Sequence, residues 1–199
     1  MMNAVLYIHG KNGSAAEAEH YRPLFPDCEV VGLDYRGATP WEAGPEIAAA
    51  AAKLKDRCGE LILIANSIGA FFAMNADIEP LVQRAFFISP VVDMEKQISG
   101  MMKQASVTED ELKRRRTVPT GLGEDLSWDY LCYVREHPLR WSVPTEILYG
   151  RNDCLTSYET VAAFADAHNA RLTVMEDGEH WFHTPEQILF LDRWIMDNI

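Results

Sequence analysis

The stretch LILIANSIGA, residues 61–70, joins a continuous apolar run to a polar pair that is followed by small residues. Four consecutive aliphatic residues are typical of a strand covered on both faces. Ser67, directly after this strand, is either a nucleophile on a tight strand-to-helix turn or a serine that caps the next helix. The surrounding sequence favours the first interpretation.

Comparable apolar runs recur along the chain, with helical patterns between them. They predict strands at residues 4–8, 29–33, 61–65, 85–89, 145–149 and 171–175. One helix is predicted over residues 45–57, and the last helix begins after Thr184 as N-cap with Pro185 in its first position. Alternating strands and helices imply right-handed crossovers, and hence an α/β three-layer sandwich with a mostly parallel six-stranded sheet.

A single domain over residues 1–199 is expected, with one long insertion at residues 93–142. The insertion separates two consecutive predicted strands and contains the helical patterns TEDELKRRR and SWDYLCYVRE. Long segments between core elements are usually functional lids or mobile loops. We therefore predict that this insertion is a helical cap.

The composition narrows the class of partner. A net charge of -12 argues against nucleic acid and anionic membranes, which would repel most of the surface. The beginning, MMNAVLYIHG, has neither the basic segment nor the apolar length of a signal peptide or membrane span, so a cytoplasmic location is expected. The cysteines at positions 28, 58, 132 and 154 form no CxxC pair or Cys/His cluster, which predicts reduced thiols and no metal site. A small molecule is the expected partner, and the oligomeric state stays open.

Polar residues that follow different predicted strands suggest one catalytic site. Ligands in open α/β sheets gather at the carboxyl ends of the strands. Ser67, Asp153 and His180 each come shortly after a different strand, so we expect them to converge. Their chemistry is that of an acyl-transfer triad of nucleophile, orienting acid and base, which requires no metal or organic cofactor.

The neighbours of Ser67 fit a nucleophile on a sharp turn. Ala65 and Gly69 are small enough for the tight backbone. A helix that begins at Ile68 would direct unpaired backbone N–H groups toward developing negative charge. The N–H groups of Ile68 and of Lys11, in the loop HGKNGS after the first strand, are the predicted oxyanion hole.

Two of these assignments have competitors. His183 competes with His180 as the base, but it lies beside the N-cap of the last helix, where an exposed position is expected. Asp93, after the fourth strand, competes with Asp153 as the acid and is also a natural N-cap for the first helix of the insertion. We favour His180 and Asp153.

The motifs together resemble those of the α/β-hydrolase superfamily over nearly the whole chain. The similar segments are the HG turn at 9–10, DxRG at 34–37, ANSIGA at 65–70, GxxD at 150–153 and GxHWF at 178–182. The chain resembles a compact member, and it has Ala65 where the family usually has glycine.

This resemblance implies the α/β-hydrolase fold and a carboxylesterase-like serine hydrolase that cleaves a small ester. Cleavage of a thioester, peptide or carbon–carbon bond by the same triad is an alternative, and Asn66 before the serine is similar to the carbon–carbon bond hydrolases of the family. A hydrolase-like protein that only binds a ligand is a further alternative.

Overall fold

The structure is a computed structural model, which describes residues 2–121 and 124–199. The strands are β1 (Asn3–Ile8), β2 (Cys28–Leu33), β3 (Leu61–Asn66), β4 (Arg84–Ile88), β5 (Thr117–Val118), β6 (Leu126–Ser127), β7 (Thr145–Gly150) and β8 (Arg171–Met175). The α-helices are α1 (Pro40–Lys55), α2 (Ile68–Met74), α3 (Met94–Gln104), α4 (Glu109–Arg115), α5 (Trp128–Glu136), α6 (Tyr158–Ala167) and α7 (Pro185–Asp197). Short 3-10 helices span Ala15–Leu24 and Glu79–Leu81.

The chain divides into two compact units. The larger unit contains the segment up to Val92 together with Arg140–Ile199, and it holds a six-stranded sheet in the order β2-β1-β3-β4-β7-β8. Every neighbouring pair in this sheet is parallel. The predicted α/β class and six-stranded parallel sheet are therefore confirmed.

The core explains why the central strands have continuous apolar sequences. In β1, β3, β4 and β7 almost every residue is buried, whereas the edge strands β2 and β8 are mostly half-buried. Alternate residues of the strands pack in one cluster with the 3-10 helix Ala15–Leu24 and with Leu191, Trp194 and Ile195 of α7. Helices α1 and α2 contact β1 and β3, and α6 contacts β7 and β8. Helices thus cover both faces and form the predicted three-layer sandwich.

The smaller unit, Asp93–Leu139, contains α3, α4 and α5 and a short antiparallel pair of β5 with β6. Arg135 of α5 donates hydrogen bonds to Glu109 of α4 and to Glu95 of α3, each with a closest distance of 2.7 Å. One guanidinium therefore links the three helices of this unit. The sequence predicted α4 and α5 here but not the small β5–β6 ladder.

Helix α1 begins earlier than the sequence predicted. We expected residues 45–57 because proline is best tolerated at the first helical position, but Pro40 takes that position and Pro45 lies inside the helix. The Glu42 carboxylate accepts hydrogen bonds from the Thr39 hydroxyl at 2.9 Å and the Ala38 N–H at 3.1 Å. These contacts stabilise a helix start upstream of Pro45.

No helix in the residues that the structure describes has the length and apolar character needed to cross a membrane.

Three tyrosines, of which Tyr7 and Tyr21 are buried and Tyr35 is half-buried, lie near the carboxyl end of β1. The Tyr7 and Tyr21 rings lie 5.2 Å apart, and the Tyr35 hydroxyl donates to the His9 carbonyl at 2.9 Å. Burial is the main cause that raises the pKa of all three phenols, and the negative charge of Glu17 raises each pKa further. The folded protein therefore keeps these protons at a pH where the unfolded chain releases them.

Stability is expected to fall as the pH rises above about 10, the ordinary tyrosine pKa. Each such phenol should lower the free energy of unfolding by about 1.4 kcal/mol per pH unit in that range, because the unfolded state binds fewer protons. Urea unfolding of wild type and Tyr7→Phe at a series of alkaline pH values measures this slope. We expect a shallower slope for Tyr7→Phe, and equal slopes would contradict the prediction.

Candidate active site

The carboxyl ends of β3, β7 and β8 bring Ser67, Asp153 and His180 together. Nε2 of His180 lies 2.9 Å from Oγ of Ser67, and Nδ1 of His180 lies 2.7 Å from Oδ2 of Asp153. Both distances are those of direct hydrogen bonds. The three residues form one continuous hydrogen-bonded chain.

The surroundings of Asp153 fix the direction of these hydrogen bonds. Its side chain is fully buried, and its Oδ1 accepts the backbone N–H groups of Leu155 at 2.7 Å and Thr156 at 3.1 Å. Because a carboxylate only accepts hydrogen bonds, Nδ1 of His180 must carry the proton between them. Nε2 is then left to accept from the Ser67 hydroxyl, which is the arrangement of a general base.

The backbone of Ser67 adopts the strained conformation expected for a nucleophile on a sharp turn. Its φ is 53° and its ψ is -122°, a combination that costs roughly 1–3 kcal/mol for a residue other than glycine. The Ser67 N–H donates to the carbonyl of Ile88 at 2.9 Å, and the Val91 N–H donates to the carbonyl of Ser67 at 3.1 Å. The end of β4 and the segment after it thus hold the turn.

Glycines let the turn approach the end of β1. A Cβ atom on Gly69 would lie 2.4 Å from the His9 carbonyl oxygen, and one on Gly10 would lie 3.2 Å from Cβ of Ser67. The loop after β1, which contains Lys11, therefore packs directly beside Ser67. Ala65 is accommodated within β3, where it is completely buried.

A second close approach positions the acid and the base. A Cβ atom on Gly150 would lie 2.5 Å from the carbonyl oxygen of Gly178, and the Asn152 N–H donates to that same oxygen at 2.8 Å. The loops after β7 and β8 therefore touch through their backbones. Phe182 follows with a positive φ of 46° and packs in the core cluster, which anchors the loop that carries His180.

The two competing residues occupy other positions. The His183 side chain is 61% exposed and lies 3.4 Å from the Glu179 carboxylate. Asp93 is the N-cap of α3, where its side chain accepts the Lys96 N–H at 2.9 Å. His180 and Asp153, rather than these two, make the hydrogen bonds to each other.

A cavity of about 450 Å³ opens beside Ser67 and His180. Lys11 lines it together with Glu17, Asn66, Leu155 and Trp181, and Ile68 begins α2 directly after Ser67. A second cavity of about 320 Å³ shares Glu17, Asn66 and Trp181 with the first and is otherwise lined mainly by apolar side chains.

Across the described part of the chain, no group of three or more His, Cys, Asp or Glu residues is arranged to hold a metal ion.

This chain is similar to known proteins in three-dimensional structure. No family model matches the chain, and no curated protein matches its sequence. Est1E from Butyrivibrio proteoclasticus superposes with a TM-score of 0.78 at 15% identity, over 98% of this chain and 86% of its own. Mouse alpha/beta hydrolase domain-containing protein 10 does so with a TM-score of 0.76 at 17% identity, over 98% and 88%.

This chain has the α/β-hydrolase fold. The thioesterase domain from the curacin biosynthetic pathway shares it with a TM-score of 0.63 at 18% identity, over 99% of this chain and 92% of that domain. Because the identities are low, the likeness establishes the fold, and the chemistry has to be argued from the side chains of this chain.

Sequence reasoning overlooked one polar element of the site in this α/β-hydrolase fold. Glu17 lines both cavities, and it lies in the 3-10 helix after β1, which was not predicted. Its carboxylate accepts the backbone N–H of Ser14 at 3.0 Å. The S-x-x-E spacing of Ser14 and Glu17 is a helix-start signal from which this element is predictable.

The close approach at Gly69 should make this position intolerant of a side chain. Gly69→Ala is expected to destabilise the protein by about 2 kcal/mol or more, because its Cβ would collide with backbone that cannot move freely. Gly100→Ala in α3 is the matched control, since nothing lies within 4 Å of the added Cβ. It should stabilise α3 by about 0.5–1 kcal/mol. Chemical unfolding measures both changes, and equal stabilities of the two variants would argue against the packing described.

Proposed function

We propose that the protein is a serine hydrolase that cleaves a small carboxylic ester through Ser67, His180 and Asp153. The observation that carries this proposal is the continuous hydrogen-bonded chain from Ser67 Oγ through the imidazole to the buried carboxylate. The strained turn at Ser67 and the cavity beside it support the proposal, since they expose the hydroxyl to a ligand.

The first half of the reaction forms an acyl-enzyme. Nε2 of His180 takes the proton from Ser67 as Oγ attacks the ester carbonyl, and Asp153 stabilises the imidazolium that results. The backbone N–H groups of Ile68 and Lys11 donate hydrogen bonds to the oxyanion. The intermediate then collapses, and His180 passes its proton to the departing alcohol.

The second half releases the acid. Water attacks the acyl-enzyme while His180 again acts as the base, and Ser67 regains its proton when the ester bond to the enzyme breaks. The triad itself supplies nucleophile, base and charge stabilisation, so this mechanism requires no metal or organic cofactor.

We extend the proposal to the role of the insertion and to the cellular location of the protein. We expect residues 93–142 to form a helical cap that selects the acyl and alcohol groups of a small-molecule substrate. The free thiols at Cys28, Cys58, Cys132 and Cys154 support a reducing, cytoplasmic environment. Thioester, peptide or carbon–carbon bond cleavage on the same triad and a purely ligand-binding protein are the alternatives.

Ser67→Ala should abolish turnover of a chromogenic short-chain ester. We expect a loss of about 10⁴-fold or more, because the triad acts as a unit. Ser89→Ala is the matched control, since Ser89 also follows a central strand with a positive φ, of 43°, and its hydroxyl has no hydrogen-bond partner within the described residues. A serine-reactive fluorophosphonate should label wild type and Ser89→Ala but not Ser67→Ala. Labelling or turnover that persists in Ser67→Ala would refute the nucleophile, and a wild type that neither labels nor cleaves esters would favour a binding protein.

The two aspartates should respond differently to conversion into asparagine. Asp153→Asn is expected to reduce kcat by about 10³–10⁴-fold, because an amide facing Nδ1 stabilises the wrong histidine tautomer. Asp93→Asn should stay nearly normal, since asparagine caps a helix about as well as aspartate. Steady-state kinetics with the same ester measures both variants. The reverse result would assign the acid to Asp93.

A further inference from the structure

Asn66, next to the proposed nucleophile, has an unused hydrogen-bond acceptor. Its Oδ1 is buried and accepts no hydrogen bond from the residues that the structure describes. The residue lines both cavities and so lies where they meet. A buried carbonyl oxygen without a donor is costly, and a substrate that supplies a donor recovers that free energy.

A hydrogen-bonded phenol and carboxylate lie beside Asn66 in the second cavity. The Tyr7 hydroxyl donates to the Glu17 carboxylate at 2.5 Å, and Tyr7, Glu17 and Asn66 all line the second cavity. In the Asn66 amide, Oδ1 is the atom that accepts no hydrogen bond from the described residues.

Glu17 adds a fixed negative charge to the same place. Its carboxylate is held by the Tyr7 hydroxyl and by the Ser14 N–H, and it lines both cavities. None of the ion pairs among the described residues involves Glu17. A carboxylate has about four acceptor sites, so it can accept further hydrogen bonds from a ligand.

We propose that the site selects esters whose acyl group carries an ammonium group close to the scissile carbonyl, with Glu17 attracting its charge and Asn66 Oδ1 accepting its hydrogen bond. The inference rests on the proposed function, because it assigns the acyl preference of the same site. The second cavity, lined by Tyr21, Ile188 and Leu191 among others, takes the apolar remainder of the acyl group. An acyl group with a methyl in place of the ammonium leaves the Asn66 acceptor unpaired and is disfavoured.

Three p-nitrophenyl esters of nearly the same shape separate charge from hydrogen bonding. The alanyl, lactyl and isobutyryl esters carry an ammonium, a hydroxyl and a methyl group at the same carbon. At about pH 6.5 the alanyl amine is protonated, because α-amino groups have pKa values of about 7.7–8.0. The ratio of kcat/KM for alanyl over lactyl reports on charge, and the ratio for lactyl over isobutyryl reports on the hydrogen bond.

Glu17→Gln should lower the charge ratio by roughly three- to tenfold, a moderate effect because Glu17 is exposed to solvent. Asn66→Ala should lower the hydrogen-bond ratio by roughly tenfold. Differences in intrinsic ester reactivity cancel when each variant is compared with wild type. Each ratio also compares two substrates on one protein sample, so a partly unfolded variant still gives a valid result.

Glu60→Gln and Asn3→Ala are matched controls. These residues bond to each other at the amino ends of β1 and β3, whereas Ser67 follows the carboxyl end of β3. Both ratios should stay at their wild-type values in these controls.

The possible failures are distinguishable. If the fluorophosphonate labels Ser67 but Glu17→Gln and Asn66→Ala keep the wild-type ratios, the inferred preference is wrong and the hydrolase proposal stands. If Ser67 is not labelled and no ester is cleaved, the proposed function is wrong and the inferred preference falls with it.

Discussion

The positive φ of Ser67 is the constraint on which the rest of the site depends. An L-residue stays in this conformation only when its surroundings hold it there. The carbonyl of Ile88 and the N–H of Val91 bond to the Ser67 backbone, and the absence of a side chain at Gly69 lets the turn pack against His9. The parallel sheet, with its central strands buried on both faces, is the rigid frame that holds this strained turn in place.

Two hydrogen-bonded carboxylates lie near this turn. One ends the chain from Ser67 through His180 to Asp153, and the other belongs to Glu17, which accepts from the Tyr7 hydroxyl and lines both cavities together with Asn66. Two backbone N–H groups hold the Asp153 carboxylate in place, and one holds that of Glu17. In both cases oriented donors fix the position of a carboxylate. The Asp153 carboxylate orients the proposed base, and the Glu17 carboxylate, together with the unpaired Oδ1 of Asn66, supports the proposed selectivity.

Much of the fold was predictable because burial on both faces requires continuous apolar strands, and the six predicted runs correspond to the six strands of the parallel sheet. The convergence of Ser67, Asp153 and His180 was also expected, because the carboxyl ends of parallel strands lie together at the same edge of the sheet. The start of α1 was wrong by several residues, because local capping by Glu42 outweighed the proline signal. The position of Glu17 at the site was not predicted, because it depends on how a short 3-10 helix packs.

The sequence by itself determined the class of fold and the candidate triad, because apolar periodicity and the small residues around a sharp turn are local properties. Only the tertiary structure decided which histidine and which aspartate bond to each other, and that Asn66 Oδ1 accepts no hydrogen bond from the described residues. Hydrogen bonds act over about 3 Å, so residues far apart in sequence form them only when the fold brings their atoms to that distance. The contact of Gly150 with Gly178 does this for the acid and the base.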